Sequence, residues 1–304
     1  MWIAIALNCV NIVASLLFVL VLKWDIFGVA LGTVVANYTG LALGLLFLTQ
    51  KIRRNSELQI IKSIKDLKLF TLTALRWSEM RGFFKVNSDI FLRTVCLSGV
   101  FTFITAASSH ISDQILAVDA LLLQFFTLFS YIMDGFAYAG ESLVGRHIGA
   151  RQLRHLKLAV RLLIVWGMAL TVVFTGLYAA FGNQFLHIFT DQEAVIAAAG
   201  DYMTWVLVIP LCGFAAFLFD GIFIGATATR TMRNAMFVAT GAFFLVYYGL
   251  KQLYLNTYQP INVSTHQHYW NNILWLSFMA FLTLRGLLQA LRVRKDIYGK
   301  IAEK

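Results

Sequence analysis

Eight separate runs of about twenty apolar residues fill most of this chain, at roughly 2–22, 26–49, 88–109, 114–139, 157–181, 195–224, 234–250 and 271–291. Each is as long as a helix must be to cross a hydrocarbon core. A chain surrounded by lipid has to satisfy its backbone polar groups internally, so runs of this kind imply helices. Soluble domains do not carry eight of them. The expected fold is all-α, a polytopic membrane protein with about eight transmembrane helices. Composition agrees: 59% of the residues are hydrophobic and only 13% are charged, against about a quarter charged in soluble domains, and the mean hydropathy is +0.73. The first run has neither a basic flank nor a small-residue cleavage site, and a second span follows at once, so it does not read as a signal peptide.

The net charge of +10 sits between the runs, not in a patch for nucleic acid. The 50–86 connection holds Lys51, Arg53, Arg54, Lys62, Lys65, Lys68, Arg76, Arg81 and Lys85. The 140–157 connection holds Arg146, Arg151, Arg154 and Lys157, the 225–233 connection Arg230 and Arg233, and the tail Arg292, Arg294, Lys295, Lys300 and Lys304. The alternate connections carry only Lys23 and Lys251. This alternation places the basic connections and both termini in the cytoplasm. The apolar start at Met1 leads to the expectation that a segment precedes it, through a mis-called start codon or a broken gene, or else that two copies of the chain pair.

The 50–86 stretch interleaves Leu58, Ile61, Ile64, Leu67, Leu69 and Phe70 with lysines, as an amphipathic helix lying on an anionic leaflet would. It separates two helical units. The expected boundaries are 1–50, a basic linker at 51–86, and 87–304.

Ionisable groups at membrane depth are costly, so each is a functional candidate. Asp134 and Asp220 are the two singled out, as carboxylates for coupled ion or proton transport, with Asp220 expected to be the main coupling residue and Asp134 to contribute less. Each is placed five or six residues before the cytoplasmic end of its span, so the two carboxylates share a depth. Tyr131, Tyr138 and Glu141 fall at three- and four-residue steps from Asp134 and extend one polar and aromatic stripe. The competing reading pairs these aspartates structurally with Arg146 or Arg233 and makes Glu141 a loop-end pairing residue. Pro210, mid-span on the helix that carries Asp220, is expected to kink it. In the first unit Asn11, Ser15 and Thr33 are polar positions that could coordinate a cation or bond between helices, and Gly28, Gly32, Gly40 and Gly44 give the small-residue spacing of close helix contact. Cys9, Cys96 and Cys212 read as packing residues, and all six histidines as solvated, with no metal site. No membrane-enzyme motif is present, which moves weight from enzyme to transporter.

Several stretches resemble the DinF branch of the MATE (multidrug and toxic compound extrusion) transporter family. They are Asn87–Thr94, Tyr131–Glu141 with Gly145-Arg146 and Ile148–Arg151, Asp220–Thr227 with Met232-Arg233-Asn234, and Leu284–Leu287. The resemblance covers essentially the whole chain. It implies twelve helices in two six-helix lobes, of which residues 1–50 would be a two-helix remnant of the first lobe and 87–304 a complete second lobe. It also implies a multi-pass inner-membrane antiporter exporting drugs or organic cations against H⁺ or Na⁺, with no cofactor beyond that coupling ion. Its partners would be a small-molecule substrate, the coupling ion and the lipid bilayer. Asn11 and Thr33 match residues of the family's first-lobe cation site, and Ser15 stands where the family has Asp. Asp220 matches an acidic residue that the sodium-coupled branch uses in its second lobe. A lipid-linked oligosaccharide flippase of the same superfamily and a non-transporting gene remnant are the alternatives. A flippase cavity would be strongly basic, which Asp134 and Asp220 oppose.

Overall fold

The computed structural model describes residues 2–54, 77–257 and 263–302. They form two compact units, Met1–Met80 and Arg81–Lys304, and the described residues are almost entirely helical. The amphipathic stretch expected around Leu58–Phe70 lies outside the described residues.

In the first unit α1 (Trp2–Leu16) runs on through a π-helical turn, Leu17–Val21, and α2 spans Asp25–Arg54. The chain reverses at Lys23 and Asp25, both with positive φ (55° and 39°). The helices are closest where the expected small residues fall. A Cβ at Gly32 would sit 2.4 Å from the Ser15 hydroxyl, and one at Gly40 2.7 Å from Leu7, whereas Gly44 faces nothing. Without side chains at Gly32 and Gly40 the helices approach closely enough for dispersion contacts, the main cohesive term between helices in lipid.

The second unit has six long helices: α3 (Trp77–Ile111), α4 (Asp113–Gly149), α5 (Leu153–Phe189), α7 (Met203–Gly225), α8 (Thr229–Thr257) and α9 (Val263–Val293). A short α6 (Glu193–Gly200) precedes α7, and a π-helical turn, Arg294–Tyr298, leads to α10 (Gly299–Ala302). Seven described helices are long and apolar enough to cross a membrane, and the first run forms a shorter apolar helix, Ile5–Val21.

The observed helices outrun the expected spans because hydropathy marks only the lipid-facing part of a helix. At 37 residues, α4 and α5 are each about 55 Å long at 1.5 Å per residue. The run expected at 195–224 is two helices, broken at Asp201-Tyr202. The break follows Gly200 and Asp201, residue types that favour turns over helix interiors, and leaves too small a gap in apolar sequence for hydropathy to register.

Helix α7 is the axis of the unit, packing on α4, α5, α8 and α9. It passes through Pro210 as one continuous helix. It is also the shortest of the six at 23 residues, and helices on its other sides cover it. Its closest neighbour is α4, which runs in the same direction. A Cβ at Gly221 would meet the Ala137 carbonyl oxygen at 2.1 Å, and one at Gly225 the Glu141 carbonyl oxygen at 2.4 Å. Backbone meets backbone at both positions, so a methyl group has no flexible neighbour to displace. Gly221→Ala is therefore expected to push α7 off α4 and cost about 1–3 kcal/mol, read as a lower Tm of the purified chain. An unchanged Tm would mean that the helices are not in register as described.

The turns after α4 and α7 and the C-terminal segment meet at one end of the unit. Lys157 lies over the Tyr298 ring at 5.7 Å, the Thr231 hydroxyl donates to Asp296 at 2.6 Å, and the Lys300 ammonium donates to the Ala226 carbonyl. At the opposite end Gln267 donates to the Ile111 carbonyl at 3.3 Å, and the Tyr202 and His268 rings lie 5.1 Å apart. The basic connections of this unit thus gather at one end, as their alternation along the chain requires.

Candidate functional site

Asp220 lies one turn before the C-terminal end of α7, on the side facing α3 and α9. Arg285 and Gln289 are four residues apart on α9, so they share a face, and both reach Asp220. The Gln289 amide donates to Oδ1 at 2.7 Å, while the guanidinium groups of Arg285 and of Arg93, from α3, both donate to Oδ2. The Arg285 group also lies over the Phe217 ring, 5.7 Å from its centre. The side chains of Asp220 and Arg285 are 6% and 1% exposed, and that of Arg93 is 17% exposed. A carboxylate that far from water is tolerated only with such partners.

This cluster forms one wall of a cavity of about 510 Å³ whose other wall is the α4 stripe. Ser130, Asp134, Tyr138 and Glu141 lie on that wall, with Arg93, Phe217 and Asp220 opposite. Three carboxylates (Asp134, Glu141, Asp220) therefore face two guanidinium groups (Arg93, Arg285), an excess of one negative charge. Asp220 is held by both arginines. Asp134 and Glu141 make no hydrogen bond or ion pair among the described residues, although the Arg93 and Arg285 charges are close enough to act on Asp134. Among the described residues no cluster of three or more His, Cys, Asp or Glu is spaced to hold a metal ion.

Asp134 and Asp220 are level, as the sequence suggests, because α4 and α7 run parallel with Ala137 beside Gly221. Asp134 is nevertheless fifteen residues before the end of α4, not five or six, since that helix continues to Gly149. The structural partners considered from sequence are not the real ones. Arg146 takes no part in the cluster, and Arg233 pairs with Asp89 at 2.6 Å, whose second oxygen accepts from Thr229 at 3.0 Å. Glu141 lines the cavity in mid-helix and is not at a loop end. Neither Tyr131, which is 71% exposed, nor Pro210 is on the cavity wall. His266 departs from the solvated reading: its Nδ1 is buried without a partner, against the Trp270 ring at 4.2 Å.

In the first unit the Ser15 hydroxyl donates to Asn11 Oδ1 at 3.0 Å, while the Thr33 hydroxyl donates to its own helix at Val29, 3.1 Å away. Asn11 and Ser15 therefore satisfy one another within α1, and Thr33 is satisfied within α2.

Sequence reasoning passed over another buried carboxylate. Asp119 on α4 is 1% exposed. It accepts from Asn271 Nδ2 at 3.0 Å, from Trp275 Nε1 at 2.7 Å and from the Ser108 hydroxyl, joining α3, α4 and α9. The rule that picked out Asp134 applies equally to Asp119, and to Arg93 and Arg285. Asp119 lies fifteen residues before Asp134, about 22 Å away along α4, so it belongs to a separate polar knot.

A family model for MatE matches residues 90–248. The DNA damage-inducible protein F of Escherichia coli (strain K12) is 33% identical over 286 residues, covering 92% of this chain and 55% of that protein. The crystal structure of the Vibrio cholerae MATE transporter VcmN in the bent form superposes with a TM-score of 0.73 at 13% identity, covering 98% of this chain and 62% of that one. A MOP superfamily transporter from Pyrococcus furiosus, for which reversed polarity of the binding pocket suggests a different function, gives a TM-score of 0.65 at 15% identity, covering 98% and 62%. At those identities the two structures establish the fold alone. The chain spans about half the length of the curated relative that it matches.

Proposed function

We propose, for a chain that belongs to the MatE family, that its six-helix unit serves a secondary antiporter exporting organic cations against H⁺ or Na⁺. The observation that carries this reading is the pair of unpartnered carboxylates, Asp134 and Glu141, on the wall of a cavity with aromatic lining from Phe101, Phe126 and Phe217. A flat organic cation gains from both features, through charge pairing in low dielectric and through the faces of the rings. The same carboxylates accept H⁺ or Na⁺, so the two cations compete for one site and occupancy by one expels the other. Asp220 lends the cavity its shape and fixes the two arginines. The basic end of the unit faces the cytoplasm, as the inner-leaflet preference of Lys and Arg requires.

Arg93 and Arg285 raise the flippase alternative, because a lipid-linked oligosaccharide carries phosphates. Both are already committed to Asp220, which leaves the accessible wall acidic. In vesicles carrying the chain, an imposed H⁺ or Na⁺ gradient is expected to accelerate efflux of a lipophilic fluorescent cation, and the gradient that works identifies the coupling ion. Absence of cation movement under either gradient would overturn the reading.

A further inference from the structure

We infer that the basic end of the six-helix unit carries a second binding site, one for a phosphate group as presented by the headgroup of an anionic phospholipid. A cavity of about 520 Å³ opens there between α3, the start of α8 and the C-terminal turn. Four cationic side chains line it: Lys85 from α3, Arg230 from α8, Lys295 from the π-helical turn and Lys300 from α10.

Two carboxylates lie in the same wall. Asp89 is paired with Arg233 and bonded by Thr229, and Asp296 accepts from Thr231. Lys300 donates to a carbonyl and a hydroxyl, and the Asp296 carboxylate is near enough to act on its charge. Lys85, Arg230 and Lys295 make no hydrogen bond or ion pair among the described residues, and all three are exposed. Four positive charges against two negative ones leave the lining at +2, and the Asp89 charge is further offset by Arg233.

An excess of positive charge around a concave space favours an anion. The N-terminal end of α8, the positive end of its dipole, lies at the same mouth. The cavity is at the end of the unit where the chain meets the headgroup layer, and basic pockets at that depth suit phospholipid headgroups. The site shares no lining residue with the cavity around Asp134, although Asp89 here lies one turn of α3 from Arg93 there, and it does not depend on the transport reading.

The test measures thermal protection of the purified full chain by a short-chain phosphatidylglycerol, with short-chain phosphatidylcholine and inorganic phosphate as parallel probes. The triple variant Lys85→Gln, Arg230→Gln, Lys295→Gln is compared with Arg151→Gln, Arg154→Gln, Lys157→Gln, which removes equal charge from the same end outside the cavity. None of the first three residues holds a structural partner, so the triple variant keeps the ligand-free Tm. Phosphatidylglycerol is expected to protect the wild type and the second variant alike, with affinity for the first reduced on the order of tenfold or more. Protection by the lipid alone assigns the headgroup; equal protection by inorganic phosphate assigns the free anion to the same site. Equal affinity of the two triple variants, or no preference over phosphatidylcholine, would overturn the inference.

Discussion

Replacing Asp220 by asparagine should destabilise the six-helix unit by about 3–5 kcal/mol, the range for removing one partner from a buried ion pair. The cost comes from what is left behind. Arg285 is 1% exposed, and its guanidinium is the hub between α7 and α9, so the substitution strands a full positive charge in the core. Arg93, at 17% exposure, can turn toward the cavity and recover part of its solvation. The double variant Asp220→Asn, Arg285→Gln should therefore regain much of the lost Tm, whereas Asp220→Asn, Arg93→Gln should regain less. Thermal unfolding of the four proteins in one detergent decides the matter. A single Asp220→Asn variant as stable as wild type would show that the carboxylate does not anchor the cluster.

Asp134→Asn should behave in the opposite way. Its carboxylate makes no hydrogen bond or ion pair among the described residues, so neutralising it leaves the packing of α4 intact and the Tm nearly unchanged. Gradient-driven efflux of an organic cation should fall by tenfold or more, about the effect of losing one charge-assisted contact in low dielectric. Glu141→Gln, two turns further along the stripe, should cause a smaller loss of the same kind. A variant that loses stability and efflux together would make Asp134 a structural residue. Full efflux with an unchanged Tm would remove it from the mechanism.

The contrast between these two aspartates marks where sequence reasoning stops. Both stand out as carboxylates inside apolar runs, and their common depth follows from counting residues toward basic connections. Their different roles depend on partners from other helices. Arg93 is 127 residues from Asp220, and Arg285 is 65 residues from it, and no local pattern announces such pairings. The signal that was available is that Arg93, Arg285 and Asp119 are also charges within apolar runs, and charges at membrane depth seek one another. The helix count was legible because bilayer thickness fixes the length of an apolar run. The break at Asp201-Tyr202 was not, because two residues barely change a twenty-residue average. Likewise Gly221 and Gly225 read as ordinary small residues until α4 is placed against them.

In the proposed mechanism the Asp134 and Glu141 carboxylates form a cation site for which substrate and coupling ion compete. The most direct measurement is equilibrium binding of tetraphenylphosphonium to the purified chain, at several Na⁺ concentrations and pH values, for wild type and for Asp134→Asn, Glu141→Gln. The wild type is expected to show saturable binding that weakens as H⁺ or Na⁺ rises, and the double variant no competable binding at unchanged Tm. Equal, equally competable binding by both proteins would contradict it.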